Sequence, residues 1–322
     1  MKLQINTLFF LGVLLPFAAR AQSINNTLAY KNINSDKYFR INYENDFFGF
    51  TDEYYTQGFQ LELVAPWVRH FPLSHALLHP RNAYTRYGIG IEHNGFTPSS
   101  ISSDAILYND RPFAATAFLK TFAISIDTVR KQRISTTLST GAIGPVAVGK
   151  EMQTSIHAAL NNITPHGWDN QVKNDVILNY EVNFEQELLA YRNILSISGN
   201  GSARIGTLSD KASAGVTIMA GYFDSPFSNR LVEGSNFRIY AYEHAQANIV
   251  GYDATMQGGV FNVSSPYTIK ASDISRGVLE NRFGFVVTWQ RFYLEYFQSL
   301  YGREFVQGKI HNFGGVQIAF GL

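Results

Sequence analysis

A strict two-residue alternation recurs along this chain up to its last residue, and it constrains the fold more than any other feature. Val176, Leu178, Tyr180, Val182 and Phe184 alternate with Ile177, Asn179, Glu181, Asn183 and Glu185. Phe283, Phe285, Val287 and Trp289 do the same against Arg282, Gly284, Val286, Thr288 and Gln290. Val316, Ile318, Phe320 and Leu322 alternate with Gln317, Ala319 and Gly321. Period two marks β-strands with unlike faces. The apolar faces are crowded with Tyr, Phe and Trp, while the other faces carry Glu, Asn, Gly and Ser. That distribution suits a barrel with lipid outside, a polar lumen and aromatic girdles. Several segments run to about 12–16 residues, where a tilted membrane strand needs roughly 9–11. Beyond the N-terminal leader no stretch of 18 apolar residues occurs, which excludes helical spans.

The expected fold is therefore all-β: a transmembrane antiparallel barrel with a short helix in an extracellular loop. Strands are expected over 38–45, 56–65, 85–94, 114–127, 131–142, 175–191, 193–207, 211–223, 236–253, 279–290, 291–300 and 310–322. That makes about twelve, an even number, as in single-chain bacterial barrels. Residues 1–21 read as a signal peptide: Lys2, an apolar run from Leu8 to Ala18, then Ala19-Arg20-Ala21. The mature barrel domain is expected over 22–322, in the bacterial outer membrane, with polar residues 22–37 as a periplasmic lead-in. The chain has no Cys, so neither disulfides nor thiolate metal sites are available. With 26 basic against 25 acidic residues, the net charge of +1 gives no footprint for nucleic acid.

With both termini periplasmic, the outer connections fall near 46–55, 95–113, 143–174, 208–210, 254–278 and 301–309. Three polar clusters lie there. The first is Glu44-Asn45-Asp46-Phe47-Phe48, continuing through Thr51-Asp52 to Tyr54-Tyr55-Thr56-Gln57-Gly58. Asn45 shares the parity of Phe39, Ile41 and Tyr43, so it points to lipid at the outer rim, where an amide needs a covering partner. Turn chemistry is the alternative account of these residue types. The second cluster is Asn109-Asp110-Arg111-Pro112-Phe113, which also reads as a turn pairing Arg111 with Asp110. The third is a helix over 149–162. Val148, Met152, Ile156 and Ala159 form an apolar stripe expected to dock on the barrel. Lys150, Gln153, Thr154, His157 and Asn161 form its polar face, and Pro165-His166-Gly167-Trp168-Asp169-Asn170-Gln171 follows.

Together these motifs, in this order across residues 38–190, resemble the lipid A 3'-O-deacylase family of outer-membrane barrels. Gln57 and Phe113 stand where that family usually has Asn and Tyr, and Ala114-Ala115 replaces Ala-Gly. The resemblance implies a twelve-stranded barrel with its active site between the wall and a helix of an outer loop. It implies Ca²⁺-dependent hydrolysis of the 3'-linked acyloxyacyl group of lipid A, the lipopolysaccharide anchor of the outer leaflet. It places the general base at His157 and essential polar groups at Asn45, Asp46, Thr56, Arg111 and Gln153.

Elementary chemistry accommodates these roles. Gln153 sits one helical turn before His157, so both can face one site. A neutral His is a suitable base for activating water, and no Gly-x-Ser-x-Gly elbow is present. Asp46 and Asn45 offer the oxygen ligands Ca²⁺ prefers, and Arg111, with Lys150 or Lys173, could hold an anionic or carbonyl group. The expected protein is a monomeric ester hydrolase. A phospholipase using the same site, a passive pore or transporter, and a silent structural barrel are the alternatives.

Overall fold

The computed structural model describes residues 24–49, 53–228 and 237–322. The signal peptide and Thr51-Asp52 lie outside the described residues. Among these, twelve strands form one closed antiparallel ring. They are β1 (Tyr38–Asn45), β2 (Tyr54–Val64), β3 (Tyr84–Thr97), β4 (Ala114–Asp127), β5 (Gln132–Ile143) and β6 (Asp175–Tyr191), followed by β7 (Leu195–Gly206), β8 (Ser209–Tyr222), β9 (Phe237–Asp253), β10 (Gly277–Trp289), β11 (Phe292–Tyr301) and β12 (His311–Gly321). β1 closes the ring on β12, from Tyr38↔Gly321 to Asn45↔Gly314. Closure is what lipid demands, since an open edge there would leave backbone groups without partners.

The alternation read from the sequence sets the two faces. Val176, Leu178 and Phe184 of β6 are exposed on the outside, while Asn179, Asn183 and Glu185 are buried inside. Phe283, Phe285 and Trp289 of β10 face out against buried Glu280 and Arg282. At the end carrying the termini, the long segment between β2 and β3 folds into two single-turn helices, Pro66–His70 and Pro72–Ala76.

The N-terminal segment does not trail into the periplasm as its Asn-rich composition suggested. It threads the lumen. Ile24 N–H donates to Glu92 Oε1 at 3.0 Å, and Ala29 N–H donates to Glu185 Oε1 at 3.0 Å. Arg40 donates to the carbonyls of Asn26 (3.0 Å) and Lys31 (3.1 Å), and Arg133 donates to that of Thr27 at 2.8 Å. Tyr240 donates its hydroxyl hydrogen to Tyr30 O at 2.9 Å. The physical reason lies in the wall. Buried pairs such as Lys120–Glu92, Arg40–Glu62 and Arg133–Glu185 leave polar groups that need further partners once out of water. The backbone of residues 24–33 supplies them. Beside this segment the lumen keeps small cavities of about 20 and 30 Å³, room for a water or two each.

Candidate active site

The site is built on the outside of the wall, at the end opposite the termini. On β1, Asn45 keeps the outward parity of Ile41 and Tyr43 and is half-buried. On β2 the register slips between Tyr55 and Gln57, a β-bulge. Tyr55 still points into the lumen, where its hydroxyl reaches Glu44 (3.1 Å) and Asn94 (3.0 Å). The extra residue, Thr56, is thereby turned out with Gln57. Bulges re-aim side chains in this way beside functional sites. Across β3 and β4 the outward positions are small. A Cβ on Gly95 would come within 3.1 Å of Gln57 Cγ and 3.3 Å of Thr56 Cγ2, and Ala115 is fully buried.

Over this platform lies the loop joining β5 to β6. It carries helix α1 (Gly149–Ala159) and a short turn, Trp168–Asn170. Gly149 is the point of closest approach: its Cβ position lies 2.4 Å from Ala115 Cβ and 2.8 Å from the Trp168 ring. His93, outward on β3, is hydrogen-bonded through Nε2 to Ala147 O at 2.9 Å, pinning the loop just before α1.

The orientation of α1 corrects the sequence expectation. Its buried residues are Gly149, Gln153 and His157, whereas Val148 is 49% exposed. Gln153 and His157 of the polar face turn to the wall, while Met152 and Ile156 of the apolar stripe are only half-buried and Val148 and Ala159 are exposed. The hydrogen bonds of Gln153 to Thr56 and Trp168, with the close approach of Gly149 to Ala115, set this rotation of the helix. His157 is therefore buried, not an exposed helix position.

One chain of hydrogen bonds joins the elements. Trp168 Nε1–H donates to Gln153 Oε1 (2.7 Å), Gln153 Nε2–H donates to Thr56 Oγ1 (3.0 Å), and Asn45 Nδ2–H donates to Thr56 O (2.5 Å). Asn45 Oδ1 accepts from Phe47 N–H at 2.7 Å, and buried Asp46 follows directly in the chain. One turn beyond Gln153, His157 Nδ1 lies 2.7 Å from Ile163 O. A carbonyl oxygen can only accept, so Nδ1 carries the proton and Nε2 of the neutral ring keeps its lone pair.

Asn45, Thr56 and Gln153 are thus linked across β1, β2 and α1, with His157 buried one turn beyond Gln153 and Asp46 next to Asn45 in the chain. Arg111 is set apart. Its guanidinium stacks over Phe96, 4.5 Å from the ring centroid, pairs with Glu304 and donates to Thr255 Oγ1 at 2.7 Å. Nor is it the turn partner of Asp110, whose carboxylate accepts from Ser99 N–H and Oγ–H and from Arg111 N–H. Burial pushes Glu304 up to about 7, against the pull of Arg111. Lys150 is exposed and pairs with Asp169 at 2.6 Å.

For a metal, the oxygen donors around the end of β1 are a buried carboxylate (Asp46), an amide oxygen (Asn45) and the backbone carbonyl of Thr56 bonded to that amide. This all-oxygen set suits Ca²⁺ in kind. Among the described residues no group of three His, Cys, Asp or Glu converges, as a protein zinc site would require.

A family model described as outer membrane protein LpxR matches residues 7–322. The chain belongs to the LpxR family. It is an outer-membrane barrel. Its fold is similar to that of LpxR from Salmonella typhimurium, with a TM-score of 0.72 and 18% identity over 88% of this chain and 100% of that one. It also aligns with the beta domain of the Bordetella autotransporter Brka at a TM-score of 0.47 and 6% identity, covering 90% of this chain and 100% of that one. Comparison with curated proteins finds no match.

Within this LpxR-family barrel, three contributors escaped the sequence reading. Glu304 and Thr255 hold Arg111 from 193 and 144 residues away, with no local pattern to announce them. His93 looked like any strand residue, although its odd parity among Ile89 and Ile91 marked a polar group on the lipid face.

Proposed function

We propose that the protein is an outer-membrane esterase that hydrolyses the 3'-linked acyloxyacyl group of lipid A. The observation that carries this reading is the buried His157, whose Nδ1–H is spent on Ile163 O while Nε2 stays available as a base. It stands one turn from Gln153, which is hydrogen-bonded to the outward-turned Thr56. The linked residues lie on the outer side of the wall rather than in the lumen, as suits a substrate that stays in the outer leaflet. All its residues come from one chain, so a monomer suffices. Membership of the LpxR family supports the same activity.

His157 Nε2 accepts a proton from a water whose oxygen attacks the ester carbonyl carbon. The tetrahedral intermediate then breaks its bond to the sugar 3'-oxygen, and that oxygen takes the proton back from His157. The products are the acyloxyacyl carboxylic acid and the free 3'-hydroxyl of the sugar. Asp46 and Asn45 are the residues that would hold Ca²⁺, which when bound supplies positive charge to the developing oxyanion. Gln153 and Asn45 hold Thr56 and the wall in register with α1. The lumen, threaded by residues 24–33, does not favour a passive pore.

The test is a time course of lipid A deacylation followed by mass spectrometry. His157→Ala should keep the heat-resistant barrel on a gel and lose roughly 10²–10⁴-fold in rate. Activity within a few-fold of wild type would remove His157 from the mechanism. Release of fatty acid from phospholipid but not lipid A would make the protein a phospholipase.

A further inference from the structure

We infer that Trp168 is a positioning residue: by fixing which way the Gln153 amide faces, it leaves the Thr56 hydroxyl hydrogen to be donated to the substrate. The inference rests on the esterase reading for its chemical purpose, but the geometry stands without it.

An indole N–H can donate but never accept. With Trp168 Nε1 2.7 Å from the Gln153 side chain, the amide must present Oε1 to it. The Gln153 NH₂ is then the end that faces Thr56 Oγ1, at 3.0 Å. Thr56 Oγ1 is therefore an acceptor in that bond. Its own hydrogen is free to turn elsewhere, and among the described residues no acceptor stands within reach of it. With the amide flipped, Oε1 would take the Thr56 hydrogen, and two N–H donors would face each other at Trp168.

Thr56 is only 3% exposed and lies on the lipid side of the wall. A hydroxyl hydrogen without an acceptor there is costly to keep. The cost disappears when an ester oxygen docks between α1 and β2. That oxygen gains charge during attack, and donors already pointing at developing charge are worth most in a site shielded from water. Trp168 itself is held to this task. It is 1% exposed, packs at 5.0 Å between ring centroids against Phe113, and touches Gly149. Gly167, just before it, has φ +87°, a left-handed conformation natural to glycine that swings the indole back under α1.

Two readouts test this. The first is the indole N–H resonance of Trp168 in ¹⁵N-labelled protein in micelles, assigned by its loss in Trp168→Phe. It should exchange slowly with water in the wild type, and faster in Gln153→Met, where the acceptor is gone. The second is a double-mutant cycle in the deacylation assay. Thr56→Val should lower kcat roughly 10²-fold. Trp168→Phe, which keeps an aromatic ring, should lower kcat about 5- to 10-fold with KM unchanged, the worth of one neutral hydrogen bond expressed as a rate. In the Trp168→Phe background, Thr56→Val should cost much less than it does alone, because the donor is already misdirected. A packing role for Trp168 predicts additive losses instead.

Additivity, wild-type kcat in Trp168→Phe, or an indole exchange rate that is fast or indifferent to Gln153→Met would each overturn the inference. If the wild-type protein released no acyl chain at all, the esterase reading would fail. The indole measurement would still decide which way the amide faces.

Discussion

Gly149 offers a sharp test of how closely α1 must sit, because a single methyl group there has nowhere to go. Built on the backbone, a Cβ at residue 149 lies 2.4 Å from Ala115 Cβ and 2.8–2.9 Å from two carbons of the Trp168 ring. Carbon atoms settle at about 3.5–4.0 Å, so Gly149→Ala requires the helix to lift from the wall by about 1 Å. The Gln153–Thr56 hydrogen bond, 3.0 Å long, would then pass beyond the range of a useful bond. His157, two turns along the same face, would move with it. A misplacement of about 1 Å typically costs about 10²-fold in rate, and that is the expected loss of deacylation. Stability should hardly suffer from the backbone, since alanine is the better helix former by about 1 kcal/mol. The assay is acyl release from lipid A with barrel content matched by gel mobility. Gly277→Ala is the control, since nothing lies within 4 Å of its added carbon. Deacylation by Gly149→Ala within threefold of wild type would refute the idea that this contact sets the site.

Chelation should abolish activity, with Ca²⁺ restoring it better than Zn²⁺, and Asp46→Ala should be inactive yet folded; full activity in excess chelator would exclude a metal role for Asp46 and Asn45. Glu304 is raised by burial, so the folded protein holds its proton more tightly than the unfolded chain does. Its stabilising contribution is complete below about pH 4.5 and fades as pH rises through about 7. The loops around Arg111 should therefore exchange amide hydrogens faster at pH 8 than at pH 5, after correction for intrinsic exchange, and Glu304→Gln should remove that difference; an unchanged difference would place the titration elsewhere. Deleting residues 24–31 should turn a non-conducting barrel into one that passes ions across a planar bilayer, and equal conductance with and without them would show that the segment does not seal the lumen.

Much of this was legible in the sequence, because membrane strands write both faces into alternate residues. β4 and β6 coincide with the expected strands at both ends, and even the outward parity of Asn45 could be read. The spacing of Gln153 and His157 likewise placed them on one face of one helix. The direction of that face could not be read the same way. Amphipathicity says which sides of α1 differ, but only the surroundings decide which side is buried, and here the Val148 side is the free one. Pairing across the barrel mouth was also invisible, because Arg111 chose Glu304 over the adjacent Asp110. The polar segment 24–33 looked like a solvated tail since composition cannot distinguish water from a polar lumen.

That segment carries a consequence for how the molecule comes into being. A strand of chain enclosed by a ring must enter before the ring shuts or through one of its ends. The seam lies between β1 and β12, the first and last strands to be made, and Arg40 on β1 itself grips the carbonyls of Asn26 and Lys31. The earliest residues of the barrel domain are thus tied to the strand that waits longest for its final neighbour. Assembly that gathers the other strands around this tether would deliver the contents of the lumen and the closing edge together, and it would spare a finished cylinder from having to swallow a charged peptide.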